Sequence, residues 1–195
     1  LRAKLELRHP AISPADGGAA ALGPVGVPPS AAVGLDALTV GGGAPAASHR
    51  KVSCISPTTP ERHLFHESAL YRCFTAQTHE DIELIVVDTG PHPSPFFTSP
   101  IFTDARVIYL HQLAHQTIGE KRNLAIQHAT GDIVCHFDDD DLYAPEYVAT
   151  MVASMEAAGA DFVKLSAWLI HDLQNGVTGL FDADTPMPMP QLNQL

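Results

Sequence analysis

The stretch Gly131-Asp132-Ile133-Val134-Cys135-His136-Phe137-Asp138-Asp139-Asp140-Asp141 decides the fold. Ile133, Val134 and Phe137 make a short apolar run too brief for a buried helix, and residues 132–137 read as a strand that ends on carboxylates. Immediately upstream, residues 119–129 follow a helical pattern with Leu124, Ile126 and Ala129 on the inward face, closed by Thr130-Gly131. Downstream, Pro145 opens a second helix that turns Tyr147, Val148, Met151, Val152 and Met155 to one side and closes at Ala158-Gly159. Residues 161–167 read as a further strand.

The same alternation extends toward the N-terminus. Residues 52–56 form an apolar strand ended by Pro57, and Pro60-Glu61 opens a helix with Leu64, Phe65, Ala69, Leu70, Cys73 and Phe74 on a shared face. Residues 82–87, Ile-Glu-Leu-Ile-Val-Val, are a strand running into Asp88-Thr89-Gly90, where Gly90 and Pro91 enforce a turn. Residues 91–100 hold four prolines and read as a loop that tucks Phe96 and Phe97 under the domain, and residues 106–110 read as another strand. Strands alternating with helices imply parallel βαβ units with right-handed crossovers, hence an α/β fold.

Residues 1–49 differ in kind. They contain no aromatic residue, and residues 11–48 follow neither period 2 nor period 3.6, so the composition predicts a disordered Ala/Gly/Pro-rich linker over 1–49, ahead of a domain at 50–181 and an irregular tail at 182–195. From Lys51 onward there are 7 basic and 19 acidic residues, a net −12 that argues against a nucleic-acid partner gripped through its phosphates. No apolar run approaches the roughly 18 to 20 residues of a membrane span, and no secretory leader pattern follows the basic start, so cytoplasmic placement is expected. Cys54, Cys73 and Cys135 cannot all pair, and each sits in an apolar segment as a buried free thiol.

Ligands of open parallel sheets lie beyond the carboxyl ends of the strands. Three polar clusters fall there: Pro57-Thr58-Thr59, Asp88-Thr89, and Asp138 to Asp141. Four adjacent carboxylates repel one another, and hard oxygen donors favour Mg²⁺ or Mn²⁺ as counter-charge, a cation that would also hold a diphosphate. The competing reading is a solvated acidic surface biasing the N-terminus of the next helix. An EF-hand loop fails, because counting from Asp138 the sixth residue is Tyr143 and the twelfth Ala149. The histidines do not gather with cysteines at zinc spacing, although His63 and His66 lie one turn apart.

The ordered blocks Val52-Ser53-Cys54-Ile55-Ser56-Pro57-Thr58, Gln77-Thr78 with residues 82–88, Gly119-Glu120-Lys121-Arg122-Asn123-Leu124-Ala125, and residues 131–141 together resemble the N-terminal nucleotide-binding half of family 2 glycosyltransferases. The resemblance covers about residues 51–172. It implies a GT-A fold, a Rossmann-like, mostly parallel sheet sandwiched by helices, and an enzyme moving sugar from a nucleotide-diphosphate donor to a glycan, protein or lipid acceptor.

The same resemblance implies site residues. Asp138 and Asp140 fall on the Asp-x-Asp motif, with Asp140 on the Mg²⁺ or Mn²⁺ and Asp138 toward the ribose or the metal; Asp141 extends the cluster. Asp88 matches the first acid after the second strand, Thr58 the threonine of the nucleoside pocket, and Arg122 the Arg-Asn signature near the donor, where its charge suits a phosphate. A structural ion pair is the alternative for Arg122. Thr89 stands in place of a second acid, and Thr59 and Pro60 replace Tyr-Asn, which departs from the uridine-binding pattern. No residue is assigned as general base. Asp182 and Asp184 read as loop residues, and Trp168 reads as core rather than as a sugar-stacking ring. The chain begins with Leu1 and matches only the donor-binding half, so it is expected to be a piece of a longer protein. A binding module without turnover is the second functional reading. Phosphoryl transfer is the weakest, since no Gly-x-x-x-x-Gly-Lys-Ser/Thr loop is present.

Overall fold

The computed structural model describes residues 2–6, 50–172 and 175–182. All of them fall in one compact unit, Leu1–Leu7 with Ala47–Leu195. Its centre is a four-stranded parallel sheet in the order β4-β3-β2-β5, built from β2 (Val52–Thr58), β3 (Ile82–Thr89), β4 (Val107–Gln112) and β5 (Ile133–His136). β2 and β3 are buried along nearly their whole length, as expected of central strands covered on both faces.

Alternation along β2 and β3 sorts their side chains onto two faces. Val52, Cys54, Leu84 and Val86 meet Leu70 and Phe74 from the first helical segment and Tyr147, Val148 and Val152 from α3 (Tyr147–Ala157). On the opposite face, Ile55, Ile85 and Val87 meet Ala125, Leu124 and Ala129 at α2 (Ile118–His128). The expected α/β sandwich is therefore present. The helix anticipated after Pro60 is broken into a 3₁₀ turn at Pro60–Arg62, a π-helical stretch at His66–Tyr71 and a short α1 at Arg72–Thr75.

Several expectations need correction. Leu64 and Ile126, both placed inward by periodicity, are exposed, whereas Lys121 is buried on α2. Residues 161–166 are not a strand. The strand begins at β7 (Ala167–Asp172) and belongs to a second sheet of order β6-β1-β7-β8, with β1 (Arg2–Glu6), β6 (Asp141–Tyr143) and β8 (Val177–Asp182). Arg2–Glu6 thus departs from the disordered linker read for 1–49: its backbone pairs antiparallel to β6 and parallel to β7, a long-range ladder that composition does not encode. The remainder of that linker, residues 1 and 7–49, and residues 183–195 of the tail, with Asp184, lie outside the described residues. Trp168, expected in the core, is half-buried on the second sheet with its ring 4.2 Å from that of Phe181.

The loop after β3 behaves as read. Phe97 is buried and stacks on Tyr109, and Phe96 packs against the same cluster. At its start Gly90 adopts φ +152°, and a Cβ there would stand 2.5 Å from the Pro60 ring, so the β3 turn is fitted against the turn after β2. All three cysteines are free thiols; Cys54 is buried, while Cys73 and Cys135 are only half-buried.

Candidate active site

The parallel sheet brings the ends of β2, β3 and β5 side by side, with Thr58 and Asp88 as register partners. The two ends of the sheet use carboxylates differently. Near the amino end Glu83 is fully engaged, accepting from Ser53 Oγ (2.6 Å), Thr130 N (2.6 Å) and Lys51 Nζ (2.8 Å). Burial alone would raise its pKa, yet these donors hold it down at about 2. Asp88 at the carboxyl end is just as buried, but only one of its oxygens is served. Oδ2 accepts from the Tyr109 hydroxyl at 2.5 Å and pairs with His63 Nε2 at 2.8 Å, while the buried Oδ1 has no hydrogen-bond partner. A buried orphan acceptor costs about 1–3 kcal/mol, which a ligand donor would recover.

The four aspartates after β5 do not act alike. Asp139 turns inward, accepting from Thr58 Oγ1 at 2.5 Å and from Arg62 Nη1 at 3.1 Å. Asp140 takes the same guanidinium at 2.6 Å. Asp138 is the most open of the three and pairs with Arg122 Nη2 at 3.3 Å. Asp141 is buried beside the Tyr143 hydroxyl. Burial dominates Asp139 and pushes its pKa up to about 6 despite the opposing Thr58 and Arg62 contacts.

Behind Asp139 runs a buried relay. Thr58 gives its hydroxyl proton to Asp139, so His66 Nε2–H donates to Thr58 Oγ1 (2.9 Å), and His66 Nδ1 accepts from Ser94 Oγ (2.8 Å), a tautomer fixed by the network. His66 is fully buried, and burial with its neighbour His63 lowers its pKa to about 4, so it stays neutral. The Ser94 amide donates to Tyr109 Oη (2.6 Å), and Tyr109 bonds Asp88, which ties the loop after β3 to both acid positions. Burial and Asp88 push the Tyr109 phenol up, keeping it a proton donor.

α2 supplies cations from its first turns. Thr117 and Glu120 form a capping box that fixes where the helix begins, and hence the direction of the two residues that follow. Lys121 Nζ reaches the Thr58 carbonyl at 2.5 Å, and Arg122 faces Asp138. Burial lowers the Lys121 pKa, while Asp88, Asp139 and Glu61 favour its charged form.

Of the residues expected from sequence, Thr58 and Asp88 are adjacent and Asp138 meets Arg122, whereas Asp140 is held by Arg62. Thr58 spends its hydroxyl on Asp139. His63, His66, Ser94, Tyr109, Arg62 and Lys121 were not anticipated. Lys121 stood beside Arg122 in the quoted block, and the one-turn spacing of His63 and His66 was the available signal for the relay. Among the described residues no three His, Cys, Asp or Glu side chains are grouped to hold a metal ion by themselves. No helix among them is long and apolar enough to cross a membrane.

The sequence pattern described as Glycosyl transferase family 2 matches residues 53–175. No curated protein sequence matches the chain. Among solved structures, the chain is similar to the mannosyltransferase PcManGT from Pyrobaculum calidifontis in complex with GDP-Man and Mn²⁺, with 25% identity and a TM-score of 0.48 over 64% of this chain and 36% of that one. It is similar also to S. aureus TarS, with 23% identity and a TM-score of 0.46 over 56% of this chain and 20% of that one. For residues 1–349 of TarS the values are 20% identity and 0.48, over 60% and 39%. The chain therefore spans well under half the length of these solved proteins.

Proposed function

The chain belongs to glycosyl transferase family 2, and from that premise we propose that the carboxyl ends of β2, β3 and β5 bind a nucleotide-diphosphate sugar and that the protein passes the sugar to an acceptor hydroxyl. The observation that carries this reading is the pairing of a half-satisfied buried carboxylate, Asp88, with a neighbouring cluster of aspartates already matched by Arg62, Lys121 and Arg122. Orphaned Asp88 Oδ1 offers an acceptor to a hydroxyl or N–H of the nucleoside. Arg122 would turn its planar fork to a phosphate oxygen. Lys121, held by the Thr58 carbonyl, keeps a positive charge beneath the same place.

The donor set fits a hard divalent cation. Asp138 and Asp140 offer carboxylate oxygens, the ligands Mg²⁺ and Mn²⁺ prefer, with remaining positions left to diphosphate and water. Such a cation, when bound, neutralises charge on the departing diphosphate. This chain's own residues orient the donor: Asp139 is pinned by Thr58 and the His66 relay, so the flanking Asp138 and Asp140 are held in place by their neighbour. The acceptor is a glycan, protein or lipid hydroxyl, and no described residue is assigned to deprotonate it.

The test is thermal unfolding with UDP, GDP, CMP and ADP, each with and without Mn²⁺. A nucleotide at about a hundred times its Kd adds about 2.7 kcal/mol, or roughly 5–10 °C for a domain of this size. The shift should require both metal and one nucleotide, and Asp140→Asn should remove its metal-dependent part. No shift with any pair would overturn the reading, and binding without sugar transfer to any acceptor would leave a non-catalytic module.

A further inference from the structure

Arg62 stands at the end of the 3₁₀ turn after β2, its backbone N–H held by the Thr59 carbonyl at 2.9 Å. Its side chain is 43% exposed, yet its Nη1 reaches two nearly buried carboxylates, Asp140 at 2.6 Å and Asp139 at 3.1 Å. The two contacts are not equivalent. Asp139 keeps the Thr58 hydroxyl if the guanidinium leaves, whereas Asp140 is the acid assigned to the cation. A divalent ion at Asp140 therefore competes with Arg62 for the same oxygens and repels its charge. Three carboxylates, Asp138, Asp139 and Asp140, face two guanidiniums, Arg62 and Arg122. A divalent cation on Asp140 offsets two of these negative charges and frees the Arg62 guanidinium, so that an anion can enter a site that is otherwise acid-rich.

We propose that Arg62 is a diphosphate-binding residue that changes partner: it covers Asp140 in the ligand-free chain, yields Asp140 to the cation, and then takes a diphosphate oxygen. The inference rests on the proposed function, since it needs the Asp140 cation. The geometry suits it, because a planar guanidinium with several donors serves carboxylate and phosphate alike, and a half-exposed side chain on a short turn can swing without disturbing the sheet.

The experiment measures Mn²⁺ binding to the whole chain by electron paramagnetic resonance, with metal alone, for wild type, Arg62→Gln, Arg62→Lys and Asp140→Asn. Inorganic pyrophosphate binding at saturating Mn²⁺ is then measured by calorimetry. Freed from competition, Arg62→Gln should bind Mn²⁺ roughly fivefold more tightly and pyrophosphate roughly tenfold more weakly, the scale of one charged contact each. Arg62→Lys, which keeps the charge and guards against misfolding of the Gln variant, should fall between on both counts. Equal or weaker Mn²⁺ binding in Arg62→Gln, or unchanged pyrophosphate affinity, overturns the exchange. If Asp140→Asn loses Mn²⁺ while Arg62→Gln matches wild type, only the role of Arg62 fails. If Asp140→Asn binds Mn²⁺ as wild type does, the metal assignment fails and the exchange falls with it.

Discussion

His66 and Asp139 share Thr58 and titrate in opposite senses, which makes the pH dependence of stability a direct probe of the relay. His66 is depressed from 6.5 to about 4 by burial and by His63, so its contribution is complete above pH 6.5. As pH falls toward 4 that contribution is lost, because the unfolded chain takes up a proton that the folded chain refuses. Asp139 is raised from 3.8 to about 6 by burial. Here the folded chain holds the proton that the unfolded chain releases, so stability is greatest below 3.8 and falls as pH rises to 6. Each gap of more than two pH units corresponds to about 3 kcal/mol, and between pH 4 and 6 the two nearly cancel.

The perturbation is His66→Gln, which can still donate to Thr58 but does not titrate. Relative to wild type, in which the His66 and Asp139 contributions nearly offset, the variant should gain about 2–3 kcal/mol of unfolding free energy as pH falls from 6.5 to 4. Asp139→Asn should show the reverse, losing about 3 kcal/mol over the same interval. Urea unfolding followed by far-UV circular dichroism at half-unit steps from pH 4 to 7 gives the curves. Subtracting wild type removes carboxylates common to both, Glu83 and also Asp104, which the Arg106 guanidinium 2.7 Å away holds down at about 2. A difference curve flat to within about 0.5 kcal/mol would refute the relay, since at least one of the two groups would then titrate as if exposed.

Two further substitutions test its anchors. Thr58→Val leaves the His66 N–H and the Asp139 carboxylate without their shared hydroxyl and should cost about 2–4 kcal/mol by urea unfolding, whereas Thr58→Ser, which keeps it, should cost about 1 kcal/mol; equal losses would mean the methyl group matters more than the hydroxyl. Gly90→Ala adds a Cβ at φ +152° against the Pro60 ring and should destabilise by about 2 kcal/mol or more, measured as a shift in urea midpoint. An unshifted midpoint would show that the two turns are not fitted together.

The parallel sheet was legible because its strands are written locally. Residues 82–87 are apolar on both faces, and the intervening helical patterns leave little choice but parallel crossovers. The places of Thr58, Asp88 and the aspartate run at strand ends followed from those same segments. Individual aspartates were not legible, because four identical residues at the exit of a strand carry no period. Their directions come from Thr58, Arg62 and Arg122, which lie 81, 77 and 16 residues away in sequence.

Pairing at long range escaped the sequence for the same reason. Arg2–Glu6 alternates polar and apolar residues as a strand does, but over so few positions that nothing in it names its partners; it sits between β6 and β7, and β7 starts where residues 161–167 had suggested a strand would end. The sequence by itself determined the alternation of elements and the acidic mouth of the sheet, since periodicity and chain stops act between near neighbours. Only the tertiary structure decided which acids are buried, which cation covers each, and which histidine stays neutral. Those outcomes depend on burial and on partners, distant in sequence, that the folded chain brings within hydrogen-bonding distance.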